Sequence, residues 1–272
     1  MPSFAHELGR MSWGEETSEA GAPAFLRARQ WLRAAVDVVL PPQALEGRRG
    51  GPRVLSRGLS GEAWGLVTFI ESPVCDGCGA PKAYDDGERC AACQARRRAF
   101  DKARAAVAYD EHSRDLILKL KRADRTDLAG LFALWLSRAA RDLVEEADAV
   151  VPVPLHPMRL MARRFNQAAE IARPLASRAG LAYLPGAVIR RRDTPTQGGR
   201  SASGRRRNVA AAFAAPKAMW PRIAGQRILL IDDVLTTGAT AEGCARVLKA
   251  AGAAQVFVAT VARVQERDAG PI

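Results

Sequence analysis

The stretch Ile228 to Thr240, ILLIDDVLTTGAT, is the part of the sequence that most clearly indicates the fold. It begins with an apolar run, continues with the adjacent carboxylates Asp232 and Asp233, and ends in a loop of hydroxyls around a glycine. A continuous apolar run is typical of a strand buried in a parallel sheet, and open α/β sheets bind ligands at the carboxyl ends of such strands. The sequence therefore predicts that both carboxylates lie at the ligand-binding edge of a parallel sheet.

The loop that follows the carboxylates leads into a predicted helix. It consists of Thr236, Thr237, Gly238, Ala239 and Thr240. Free amides and the helix dipole make a helix N-terminus an anion site, so we expect a phosphate in the loop and sugar hydroxyls on the carboxylates. The alternative is an Asp-Asp turn with a threonine cap. The stretch matches neither the nucleotide-triphosphatase loop nor the dinucleotide fingerprint.

Apolar runs and helical patterns alternate along the rest of the chain. Predicted strands are Ala103–Tyr109, Ala149–Pro154, Arg227–Asp232 and Gln255–Val261; predicted helices are Ser113–Lys121, Thr126–Glu146, Asn166–Arg178 and Thr240–Ala251. This alternation indicates an α/β fold with a mainly parallel sheet flanked by helices. Pro174 predicts either a kink in the third helix or a later start for it.

Four of the five cysteines form two C-x-x-C pairs, Cys75 with Cys78 and Cys90 with Cys93. Four soft thiolates at this spacing favour a closed structural Zn²⁺ site, and Gly77 and Gly79 permit positive φ values in the turn. An iron–sulfur cluster and a redox dithiol are the alternatives. Cys244 is solitary, and we expect it to be a small core residue.

Composition limits the classes of protein. The 272 residues are 48% apolar and 26% charged, which excludes collagen-like, wholly disordered and membrane-inserted chains. Lys and Arg number 41 against 29 Asp and Glu, and the net charge of +12 favours an anionic partner: nucleic acid, a polyphosphate or a membrane surface. No secretory signal is visible at the start, so we expect a cytoplasmic protein.

Four regions follow from these patterns. Residues 1–23 are expected to be poorly ordered, 24–63 to hold an amphipathic helix and a degenerate ribbon, 64–98 to form the four-cysteine module, and 99–265 to form the α/β domain. The apolar face of the helix, Ala24 to Leu40, is expected to pack on the protein body, with membrane binding as the alternative.

Three stretches carry a resemblance to a known family. They are IDDVLTTGAT (Ile231 to Thr240), VVPVPLHPMRLMARRFNQAAEIA (Val150 to Ala172) and FDKARAAVAYDEHSRDLILKLKRADRTDLA (Phe100 to Ala129). The first resembles the phosphoribosyl-pyrophosphate (PRPP) motif of type I phosphoribosyltransferases. The chain from about 64 to 263 resembles the ComF family of competence-related proteins, which joins a zinc ribbon to a phosphoribosyltransferase domain. Unlike many members, the chain has Ser60 and Ala63 where an upstream C-x-x-C pair would stand.

The resemblance implies a PRPP site with Mg²⁺. It implies that the pyrophosphate lies near a turn that contains Pro154, His156, Arg159, Arg163 and Arg164. It also implies that a loop within Arg190 to Asn208 closes over the substrate and contributes Thr196, Gln197 and Arg207. Asp232, Asp233 and Arg207 are the implied catalytic residues. Each of these assignments has an alternative. His156 could be a structural or solvent-facing histidine, and Asn166 and Gln167 could be a helix cap followed by a polar surface residue. The Arg-rich loop could contact nucleic acid or be a solvated run of charges.

The predicted function is transfer of phosphoribosyl from PRPP to an unidentified nitrogen base, with release of pyrophosphate. The alternative, from a different class, is a nucleic-acid-binding protein of DNA uptake that contacts single-stranded DNA and keeps the PRPP fold as a scaffold or sensor. Aromatic residues make up only 6% of the chain, so no stacking platform for bases is evident in the sequence.

Overall fold

The structure, a computed structural model, describes residues 54–55, 59–86, 89–121, 127–156, 158, 160–161, 165–191 and 212–265. Its described helices are α1 (Gly61–Gly65), α2 (Ala91–Ala95), α3 (Glu111–Lys121), α4 (Leu128–Ala139), α5 (Arg141–Glu146), α6 (Gln167–Ala179), α7 (Trp220–Ile223) and α8 (Ala239–Ala250). Its described strands are β1 (Val54–Leu55), β2 (Leu59–Ser60), β3 (Lys102–Ala108), β4 (Ala149–Pro152), β5 (Ala182–Tyr183), β6 (Ile189–Arg190), β7 (Phe213–Ala214), β8 (Arg227–Leu235) and β9 (Gln255–Arg263).

Five of the described strands form one sheet in the order β3-β9-β8-β4-β5, and all of their pairings are parallel. After β4 the chain passes through α6 to β5 on one side, and after β8 it passes through α8 to β9 on the other. The connections therefore diverge between β4 and β8, and the carboxyl ends of these two strands border the crevice in which such sheets bind ligands. The predicted parallel α/β fold is confirmed.

Apolar side chains cover both faces of the sheet. On one face Leu136 of α4 and Ile171 of α6 belong to the same fully buried cluster as Phe257 of β9. On the other face Cys244 of α8 joins the cluster that contains Leu230 of β8. Cys244 has no exposed surface, so its prediction as a core residue is confirmed. Because both faces are covered, the strands have the continuous apolar character from which they were predicted.

The helix predicted over Thr126–Glu146 is two helices, α4 and α5. Ala140 separates them with φ −115° and ψ 31°, a conformation outside the helical range. A sequence without proline or glycine at that point gives no indication of such a break.

Pro174 lies inside α6, which begins at Gln167, so the predicted later start is wrong. The helix tolerates its missing amide because buried residues on either side, Ile171 and Leu175, hold it against the sheet. Gly180 ends the helix with φ 68°, a left-handed conformation that glycine adopts without strain.

Within the described part of the chain, no helix is both long enough and apolar enough to cross a bilayer.

The core predicts a large cost for truncation. Leu136→Ala removes a side chain with no exposed surface and should lower the free energy of unfolding by about 2–5 kcal/mol. The control Arg138→Ala, two residues along the same helix, removes an exposed ion pair with Glu71 and should cost less than about 1 kcal/mol. Urea denaturation of both variants measures the difference. Equal effects would contradict the placement of α4 over the sheet.

Candidate functional site

Asp232 and Asp233 lie at the carboxyl end of β8, inside the strand rather than after it, because β8 extends to Leu235. The Asp233 carboxylate forms an ion pair with Lys121 Nζ at 2.8 Å, at the end of α3. The amide of Asp233 donates to Oδ1 of Asp232 at 2.9 Å. Lys121 therefore neutralises Asp233 directly, whereas Asp232 receives only a backbone donor among these contacts.

Burial and the neighbouring Asp233 carboxylate raise the pKa of Asp232 to about 8. Two close carboxylates resist ionising together, so near neutral pH the pair carries less than its full charge of two. A protonated carboxyl can donate a hydrogen bond as well as accept one. The pair is thus suited to adjacent hydroxyl groups, which also donate and accept.

The loop from Thr236 to Thr240 makes the turn between β8 and α8. Gly238 precedes the helix with φ 78°, the left-handed region that glycine tolerates best. Thr236 and Thr237 are exposed. The amide of Ala239 donates to Thr237 Oγ1 at 3.5 Å, which is long for a hydrogen bond. The predicted loop that leads into a helix is confirmed. The first-turn amides of a helix have no partner within it, so an anion at this helix start stays a prediction.

The facing side of the crevice begins where β4 ends. The Asn166 side chain donates to the carbonyl of Val153 at 3.0 Å and accepts from the amide of Ala168 at 3.1 Å. Asn166 therefore caps α6, as predicted, and anchors the end of β4. Gln167 is only 2% exposed, so its interpretation as surface polarity is wrong, because the anchor draws the first turn of α6 against the sheet.

Pro154 and His156 follow the end of β4 and are both partly buried. The carbonyl of His156 accepts from the amide of Leu160 at 2.9 Å. Parallel pairing of Pro152 with Ile231 brings this turn alongside the carboxylates of β8. The structure thus brings Pro154, His156 and the β8 loop to the same edge of the sheet.

The other predicted contacts lie outside the described residues. They are Arg159, Arg163, Arg164, Thr196, Gln197 and Arg207. Of the Arg-rich stretch the structure describes Arg190 and Arg191. β6, which contains Arg190, pairs in antiparallel fashion with β7, which follows the stretch, and Arg190 lies opposite Phe213. The Arg190 guanidinium lies 5.5 Å from the centre of the Phe213 ring, a cation–π contact. The start of this stretch is therefore held beside the strand that follows it.

The sulfur atoms of Cys75, Cys78, Cys90 and Cys93 all lie within 4.8 Å of one another. Zn–S bonds of about 2.3 Å in a tetrahedron put sulfur atoms about 3.8 Å apart, and the 3.6 Å between the sulfurs of Cys78 and Cys90 is close to that spacing. Cys75, Cys78 and Cys93 are buried and Cys90 is half-buried. This donor set can hold a metal ion with all four positions filled by protein.

The thiols of this cluster are electrostatically unequal. Burial raises the pKa of Cys78 and of Cys93. Burial would also raise that of Cys75, but hydrogen bonds from the amides of Cys90 and Cys78 outweigh it and lower the pKa of Cys75 to about 7. Thiols that resist ionising in an apolar site become good ligands once a cation compensates their charge.

The two glycines of the first pair have different roles. Gly79 has φ 69°, and a Cβ there would approach the carbonyl oxygen of Ala103 to 2.9 Å. Gly77 does not have a positive φ, so that prediction is wrong for Gly77. Its small size matters instead, because a Cβ would lie 3.1 Å from the sulfur of Cys93.

The substituted upstream pair keeps the backbone role of a cysteine pair. Ser60 caps α1 and accepts from the amide of Ala63 at 3.1 Å. Cys90 occupies the same cap position before α2, and Cys93 stands where Ala63 does. Ser60 and Ala63 thus repeat the local geometry of a ligand pair with a hydrogen bond in place of thiolates.

Sequence reasoning missed the contacts between the cysteine module and the loop. Glu242, in the first turn of α8, is 1% exposed and pairs with Arg96 and Arg98, which follow Cys93. Arg98 also donates to the carbonyl of Thr237 at 2.7 Å. No local pattern could have indicated these pairs, because the partners lie more than 130 residues apart in sequence.

A parallel sheet whose crevice carries paired carboxylates and a hydroxyl-rich helix start defines a type I phosphoribosyltransferase-like fold, here with a four-cysteine module before it. The family profile for the phosphoribosyl transferase domain matches residues 166–270. The chain belongs to the competence protein F family, or ComF family.

Competence protein F of Haemophilus influenzae is 30% identical over 223 residues, which are 79% of this chain and 94% of the relative. The DNA utilization protein YhgH of Escherichia coli K12 is 30% identical over 206 residues, 72% of this chain and 88% of the relative. The solved structure of a glutamine PRPP amidotransferase from B. subtilis is 24% identical, covering 54% of this chain and 27% of that one, with a TM-score of 0.33. That structural likeness is too limited to support an argument about activity.

The raised pKa of Asp232 predicts a pH-dependent stability. The folded protein keeps a proton that the unfolded chain loses near the ordinary carboxyl pKa, so this group makes the free energy of unfolding fall as pH rises toward about 8. Asp232→Asn removes the effect. We expect the wild type and Asp232→Asn to have similar free energies of unfolding near pH 4. Near pH 8.5 the variant should be more stable than the wild type by about 1–3 kcal/mol, as measured by urea denaturation. A constant difference across this range would contradict the assignment.

Proposed function

We propose that the chain binds PRPP in the crevice between β4 and β8 and transfers its phosphoribosyl group to a nitrogen base. The observation that carries the proposal is the juxtaposition of an open helix start with the Asp232–Asp233 pair at the point where the connections diverge. The 5-phosphate would bind the amides of the loop from Thr236 to Thr240, and the ribose hydroxyls would bind the two carboxylates.

The pyrophosphate end of PRPP would lie against the turn after β4. Pro154 and His156 border that position, and Arg159, Arg163 and Arg164 are close enough in sequence to supply phosphate donors. Gln197 and Arg207 would approach from the Arg-rich stretch. If Mg²⁺ binds with PRPP, it would supply positive charge to the pyrophosphate oxygens.

The reaction breaks the bond from ribose C1 to the pyrophosphate oxygen and forms a bond from C1 to the acceptor nitrogen, which loses a proton. The transition state resembles an oxocarbenium ion, so positioning and electrostatics supply the rate. The Asp232–Asp233 pair would hold the ribose and place negative charge near the developing cation. Lys121 would keep Asp233 oriented before the substrate arrives.

Calorimetric titration with PRPP and Mg²⁺ tests this proposal. The intact protein should bind saturably, and the double variant Asp232→Asn, Asp233→Asn should lose about 100-fold in affinity, because the pair loses its negative charge and each amide places a donor where a carboxyl oxygen stood. The matched control is Asp115→Asn with Glu145→Gln, which removes two exposed carboxylates and should bind like the wild type. No binding by the intact protein would refute the proposal, as would equal loss in the control.

We also propose that the four-cysteine cluster holds a structural Zn²⁺. Four thiolates leave no open coordination position, so the ion would act on the fold and not on the substrate. The proposal implies a reducing compartment, in keeping with the predicted cytoplasmic location. The division at about residue 98, between this module and the phosphoribosyltransferase-like domain, belongs to the same proposal.

Metal analysis tests the zinc assignment. The purified protein should contain one zinc ion per chain, and Cys93→Ser should lose it because the closed site needs all four ligands. Cys244→Ser changes a buried cysteine outside the cluster and should keep the metal. A visible absorption spectrum typical of iron and sulfide, or equal zinc content in the two variants, would reject the assignment.

A second candidate function is binding of single-stranded DNA. The relatives are named as competence and DNA utilization proteins, and the chain carries a net charge of +12. Counterion release would make such binding fall steeply with salt concentration. Titration of the protein with labelled oligonucleotides at several salt concentrations distinguishes DNA binding from PRPP transfer, because PRPP transfer does not require an affinity for DNA that falls with salt.

A further inference from the structure

A buried carboxylate connects the cysteine module to the loop from Thr236 to Thr240, which is called the phosphate loop below. Glu242 accepts from Arg96 at 2.8 Å, from Arg98 at 3.1 Å and from Arg246 at 3.4 Å, while its own side chain is 1% exposed. Burial would raise the pKa of Glu242, but Arg96 and Arg98 outweigh it and lower that pKa. Removing one partner of a buried ion pair leaves charge uncompensated, so the network favours one arrangement of the segments that it joins.

Arg98 contacts the loop itself. It donates to the carbonyl of Thr237 at 2.7 Å, and a Cβ built on Gly238 would lie 3.3 Å from the same guanidinium nitrogen. The ring of Phe100 lies 3.7 Å from that Cβ position. The chain segment that leaves the cysteine module therefore packs against the turn whose amides would bind the 5-phosphate.

The position of Arg96 and Arg98 depends on the cysteines. Both follow α2, a helix of five residues that is preceded by Cys90 at its cap position and contains Cys93. A helix this short is not stable alone. The buried cluster around it consists of Cys75, Cys78 and Cys93, with Ala80 and Cys90 against it, so the module has almost no apolar core besides its ligands. Metal binding is thus what would fix this segment.

We infer that Arg98 is a positioning residue for the phosphate loop, and that metal bound to the four cysteines organises the PRPP site through Arg96 and Arg98. The inference rests on the proposed PRPP and metal sites. The metal fixes α2, α2 directs the two arginines onto Glu242 and Thr237, and the loop is held ready for phosphate. Because coupling between two sites is reciprocal, PRPP must tighten metal binding by the same factor by which the metal tightens PRPP binding.

The first measurement needs no PRPP. Hydrogen exchange of the amides from Thr236 to Glu242 is followed in the full chain, with metal and after chelation. In the wild type we expect exchange to become about 5- to 10-fold faster on metal removal. In Arg98→Ala the loop amides should exchange at the faster rate even with metal bound, and chelation should raise that rate little further. The amides of Ala149, Val150 and Val151 in β4 report on global unfolding and should not change.

Matched variants separate coupling from general damage. Arg97→Ala removes the same charge from the adjacent, exposed position and should behave as the wild type. Glu242→Gln keeps the shape of the side chain but removes its charge, and it should reproduce the effect of Arg98→Ala, which keeps the test valid if Arg98→Ala folds poorly. Loop exchange unaffected by metal removal in the wild type, or by both Arg98→Ala and Glu242→Gln, would overturn the inference.

The second measurement is the equilibrium affinity for zinc, determined by competition with a chromogenic chelator, with and without PRPP and Mg²⁺. PRPP should protect the metal by tightening zinc binding about 5-fold or more in the wild type and in Arg97→Ala, but not in Arg98→Ala. Protection by PRPP that is unchanged in Arg98→Ala overturns the role of Arg98. If PRPP protects no variant while metal still controls loop exchange, the proposed PRPP binding fails and the coupling between module and loop stands.

Discussion

β8 pairs with β4 on one side and with β9 on the other, and the chain leaves β4 and β8 in opposite directions. The candidate site depends on this arrangement, because the diverging connections leave the carboxyl ends of the two central strands open to a ligand. Fully buried residues such as Leu230 and Val258 fix the strands beneath. The crevice therefore has a rigid floor, and its specificity depends on the loops above that floor.

Charge pairing between distant segments shapes these loops. Asp233 is held by Lys121, and Glu242 is held by Arg96 and Arg98. Asp232 makes no ion pair with another described residue, and burial together with the Asp233 carboxylate raises its pKa. Buried charges cost less free energy when they are paired, so each pair constrains the backbone on both sides of it. The phosphate loop is in this way linked to α3 and to the cysteine module.

The docking of the module also protects the sheet. Phe69 forms an antiparallel bridge with Val107 and so covers part of the edge strand β3. Arg263, at the end of β9, donates to the carbonyl of Cys78 at 2.7 Å. Unpaired strand edges invite association with other chains, and this cover removes part of that edge. The same contacts place the module beside the strands that carry the site.

Local patterns predicted the main strands, the helices over the sheet, the cluster of four cysteines and the loop of β8, because periodicity and C-x-x-C spacing are properties of neighbouring residues. They did not predict β5, β6 or β7, which are two residues long and have no period. Nor did they predict the break at Ala140 or the pairing of Arg98 with Glu242. Such features arise from tertiary packing, which a single sequence does not display.

A crystal structure of the zinc-loaded protein with PRPP and Mg²⁺ would show whether the crevice between β4 and β8 is the substrate site. We expect the 5-phosphate on the amides of Thr236 to Thr240 and the ribose hydroxyls on Asp232 and Asp233. PRPP bound elsewhere on the chain, or a complex in which the Asp232–Asp233 pair makes no contact with the ribose, would contradict it.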